Sequence, residues 1–149
     1  TYGAGSNFTR LKHSGTFVIS TFTKTATTVP AIDMALEVLD SLHQKGVDEA
    51  TLASAKAYVK GDFPPNYESA ASLANLLTDM FVYGFDESYI ATFQSKVDGL
   101  TTAKVKELVG TYFPKNNLQF VLVGKADDIR EQVKKYGEIT EKDIKAEGF

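Results

Sequence analysis

The sequence has no cysteine and no tryptophan, only two histidines and four prolines, and no long unbroken apolar run. Each absence excludes a class of chemistry. Without cysteine there is no disulfide framework, no thiolate metal site and no cysteine nucleophile. A cysteine-free chain suits the bacterial periplasm and the cytoplasm alike. The histidines, His13 and His43, stand far apart, so neither H-E-x-x-H nor H-x-x-E-H can be written anywhere. Catalytic zinc normally takes about three protein ligands, often with paired histidines. No stretch of roughly 18 apolar residues is present, which excludes a membrane-spanning helix from this sequence. Excess base is also missing. The net charge of −3 argues against a general binder of phosphate backbones, so no nucleic-acid partner is expected. Thr1 to Ser6 lack the basic and apolar regions of a signal peptide.

What is present suits a packed domain. The 149 residues fit one domain, and 10 Phe with 7 Tyr give aromatic mass for a core. Alternation over Tyr2 to Phe8 and the β-branched run Gly15 to Thr23 predict two strands, with a turn over Leu11–Ser14. An antiparallel pair follows. Five helical patterns come next. The first carries Val29, Ile32, Leu36, Leu39 and Leu42 on one face, with Thr27 or Thr28 as cap and Gly46 as stop. Asp48 caps the second, where Leu52, Ala55 and Val59 share a face, and Gly61-Asp62-Phe63-Pro64-Pro65 breaks it. The third runs from about Tyr67 to Tyr83, with Leu73, Leu76, Leu77, Met80 and Phe81 as a stripe that reads as core. Asp86 caps a fourth, ended by Gly99, and Thr101 caps a fifth, stopped by Pro114. Leu118–Val123 is predicted as an apolar strand, and a last helix covers Ala126 to about Tyr136. Residues Glu138 to Phe149 are charged and peripheral.

Strands segregated from helices argue an α+β fold. Three strands are few for so many apolar helix faces. The last strand is apolar throughout and reads as central, with neighbours expected on both sides.

The candidate chemistry reduces to ordinary structure. Acidic pairs at Asp48-Glu49, Asp86-Glu87 and Asp127-Asp128 each fall at a helix start, where capping and the helix dipole account for them. The alternating glycines of Tyr2-Gly3-Ala4-Gly5-Ser6 match neither a phosphate loop nor a nucleophile elbow. They suit a strand that neighbouring backbone approaches closely.

Several segments together resemble the pitrilysin/insulinase family of zinc metallopeptidases, and specifically its second, inactive C-terminal domain. They are Tyr2-Gly3-Ala4-Gly5-Ser6; Gly46-Val47-Asp48-Glu49 with Leu52, Ala55 and Lys56; and Gly61-Asp62-Phe63-Pro64 with Glu68-Ser69. Leu100-Thr101 with Val105, Tyr112-Phe113-Pro114 with Asn117, Val121-Leu122-Val123-Gly124 and Tyr136-Gly137 complete the set. No one segment is specific; their order and spacing carry the likeness.

The resemblance implies an α/β roll, a mainly antiparallel sheet covered on one side by helices. Two such domains enclose a chamber, with zinc held in the separate catalytic domain. This chain would then have no catalytic residue, no metal ligand and no cofactor of its own. Its partners would be that catalytic domain, in the same chain or another subunit, and peptide substrate. In active members an Arg and a Tyr of the second domain reach toward substrate near the zinc. The Tyr corresponds to Tyr2, whose phenol would donate a hydrogen bond to a developing oxyanion. The Arg would fall before Thr1. A family domain is longer than 149 residues, so residues 1–149 are expected to be one domain lacking its first elements. Bacterial members are often exported, which leans toward the periplasm. The alternative on the same fold is a non-catalytic scaffold or assembly subunit. A third reading is an unrelated α+β binding module, which helices on both faces of a parallel sheet would favour.

Overall fold

The computed structural model describes residues 3–63 and 67–146. It opens with a hairpin, β1 (Ala4–Arg10) and β2 (Gly15–Thr21), paired antiparallel with Phe8 opposite Phe17. Leu11 N–H donates to the Ser14 carbonyl at 3.0 Å and closes the turn. Gly15 is required there, because a Cβ would lie 2.8 Å from the Thr9 carbonyl oxygen.

Seven α-helices follow among the described residues: α1 (Thr28–Lys45), α2 (Glu49–Asp62), α3 (Ala70–Tyr83), α4 (Ser88–Ala91), α5 (Phe93–Asp98), α6 (Thr102–Tyr112) and α7 (Ala126–Val133). Mixed helix and strand make the class α+β. Side-chain caps set several starts, as Asp48, Ser69 and Thr101 accept from Thr51, Ser72 and Lys104 N–H respectively. Gly46 (φ 67°) and Gly84 (φ 73°) end α1 and α3 in backbone that other residues adopt only with strain.

The core is built by α1, α6 and α7. α1 packs on α6 and α7, and Leu39, Val109, Ile129 and Val133 are buried, as are Leu52 of α2 and Leu76 of α3. The predicted face of α1 is confirmed at every position, since Val29, Ile32, Leu36 and Leu42 are all at least partly covered. Lys56 ties α2 to the next layer by donating to the carbonyls of Asp98 (2.9 Å) and Leu100 (2.6 Å). The hairpin meets the helices through an aromatic triad. Phe113 lies with its ring centroid 5.2 Å from Phe8 and 4.6 Å from Phe17.

Four expectations are corrected. Residues 118–123 form no regular element and join no ladder, because no described strand is paired with them. The sheet among the described residues is therefore the two-stranded hairpin alone. The α3 stripe is not core along its length: Leu76 is buried, while Phe81 is 91% exposed. The single helix expected after Asp86 is two short ones, α4 and α5, broken at Thr92. There the Thr92 hydroxyl donates to the Ser88 carbonyl at 2.6 Å, a back-bond that bends a helix.

Candidate functional site

Tyr2, the one residue that the sequence points to for substrate binding, lies outside the described residues. The strand that it precedes is described from Gly3 onward, and the Thr21 hydroxyl donates to the Gly3 carbonyl at 2.7 Å. That end of the hairpin carries small and polar residues, Gly5, Ser6, Asn7 and Ser20 among them.

The opposite end of the hairpin forms a groove of about 580 Å³. The length of β1 separates the two ends by roughly 20 Å. Phe8, Phe17, Tyr83, Phe85, Tyr112 and Pro114 give the groove apolar and aromatic walls. Arg10 sits at its rim, with the guanidinium 5.6 Å from the Tyr83 ring centre and 3.5 Å from the Asp79 carboxylate. Tyr83 Oη donates to the Arg10 carbonyl at 3.2 Å. The charge at the rim is thus already matched, and the walls offer packing surface rather than an acid, base or nucleophile. Sequence reading missed this groove, since its walls come from both strands and from the ends of α3 and α6.

The histidines are placed apart. His43 Nε2 donates to the Phe113 carbonyl at 2.7 Å, joining α1 to the end of α6. His13 is exposed in the hairpin turn. The acidic pairs act locally. Asp48 accepts from Thr51 N–H (2.7 Å) and Asp86 from Ser88 N–H (2.9 Å). Asp48 is held below the usual carboxylate range first by the Thr51 N–H, and Asp86 first by the Ser88 side chain and then by the Ser88 N–H. Asp127 and Asp128 pair with Arg130 and Lys125. Among the described residues no group of three His, Asp or Glu side chains is arranged to hold a metal, and no helix is long and apolar enough to cross a membrane.

One polar cluster joins distant parts of the chain. Lys135 Nζ donates to Asp33 at 2.7 Å, and Tyr136 Oη donates to the same carboxylate at 2.7 Å. Asp33 is held below its ordinary value, first by the Lys135 hydrogen bond and then by that of Tyr136. Lys135 is raised mainly by the same bond, and Tyr136 is raised by burial and then by Asp33. A depressed carboxylate contributes stability that is present above the unfolded value of about 3.9 and lost as pH falls through the folded value. Asp33→Asn is therefore expected to lower the neutral-pH melting temperature and to flatten its acid limb. Thermal melts from pH 2 to 7 check this; an unchanged acid limb would show that the cluster carries no linkage.

No family model matches this chain, and no solved structure matches it. A curated protein of Helicobacter pylori, the non-peptidase homolog YmxG, is 20% identical over 118 residues. The likeness covers 79% of this chain and 27% of YmxG, so the chain spans about a quarter of that relative's length. The name of that relative describes a homologue that is not a peptidase. It is distantly in line with the inactive domain to which the ordered segments point.

Proposed function

We propose that this chain is a non-catalytic domain of pitrilysin/insulinase type, acting as one half of a two-part assembly. In this reading the helices cover one side of an α/β roll. The domain closes a chamber against a partner domain and helps to hold extended peptide. The carrying observation is the ordered set of family-like segments from Tyr2 to Gly137, together with the distant likeness to a non-peptidase homologue over 79% of the chain.

The histidines and paired carboxylates among the described residues are engaged elsewhere. His43 is committed to the Phe113 carbonyl, His13 lies in a separate turn, and the paired carboxylates serve as caps and ion-pair partners. Any zinc chemistry belongs to the partner domain. Within this domain, Tyr2 would contribute a phenolic hydrogen bond to a peptide carbonyl oxygen.

The likeness to a non-peptidase homologue favours a second reading on the same fold, in which the assembly is a scaffold and the partner is equally inactive. The purified chain is expected to cleave no peptide with or without zinc. Chelator-sensitive cleavage by the chain alone would overturn both readings. A partner carrying H-x-x-E-H selects the peptidase assembly, and a partner without it selects the scaffold.

A further inference from the structure

We draw no further inference here: the strongest candidate, the aromatic groove between the hairpin and the ends of α3 and α6, carries nothing, because Asp79 already meets the Arg10 charge at its rim and nothing in the structure shows what covers its apolar walls.

Discussion

Leu39→Ala is expected to destabilise the chain by about 3 kcal/mol, read from the shift in an equilibrium urea transition. Leu39 is 6% exposed on the inward face of α1, where that helix packs on α6 and α7. Truncation removes three carbons from a face packed on two helices that bury Val109 and Ile129 of their own. The loss combines the transfer free energy of those carbons with that of a cavity that rigid helices do not collapse. Val38, the preceding residue, faces the other way and is 64% exposed. Val38→Ala should change stability by no more than about 0.5 kcal/mol. Equal costs at the two positions would show that α1 does not present the face the structure assigns to it.

That contrast at neighbouring positions shows what the sequence makes legible. Helix limits are local chemistry, so Asp48, Thr101, Gly46 and Gly84 reveal them without any tertiary knowledge. The face of α1 is equally plain, because its period has one solution and its partners lie within the same chain. The α3 stripe has the same period, yet Phe81 stands in solvent. Periodicity says which side of a helix is apolar, not whether anything described packs there. The same limit applies to Leu118–Val123. Its composition is that of a buried strand, but a ladder needs a neighbour, and composition supplies none. The break at Thr92 turns on one hydroxyl back-bond, and Lys135 meets Asp33 across 102 positions; neither leaves a local trace. The site was least legible. Tyr2 rests on resemblance and lies outside the described residues, while the aromatic groove at the far end of the hairpin is assembled from four separate segments.

The double variant Leu77→Lys with Phe81→Lys should have opposite effects in the two settings. In the isolated chain both side chains already face water, at 64% and 91% exposure. Replacing them removes little packing, and lysine suits a helix as well as leucine does. Stability should therefore stay within about 0.5 kcal/mol of the parent, and binding of a hydrophobic dye should fall. In the two-part assembly of the proposed function, an exposed apolar helix face such as this is where a partner domain would pack. Burying a leucine and a phenylalanine is worth roughly 2 kcal/mol each, and lysine would instead carry charge into that contact. A loss of about 4 kcal/mol corresponds to roughly a thousandfold weaker association. Association is measured by titrating labelled chain with the purified partner, and folding by circular dichroism on the same samples. Unchanged affinity with intact helical content would mean that the α3 stripe lies outside the interface. A destabilised isolated chain would mean instead that the stripe is already packed against its own fold.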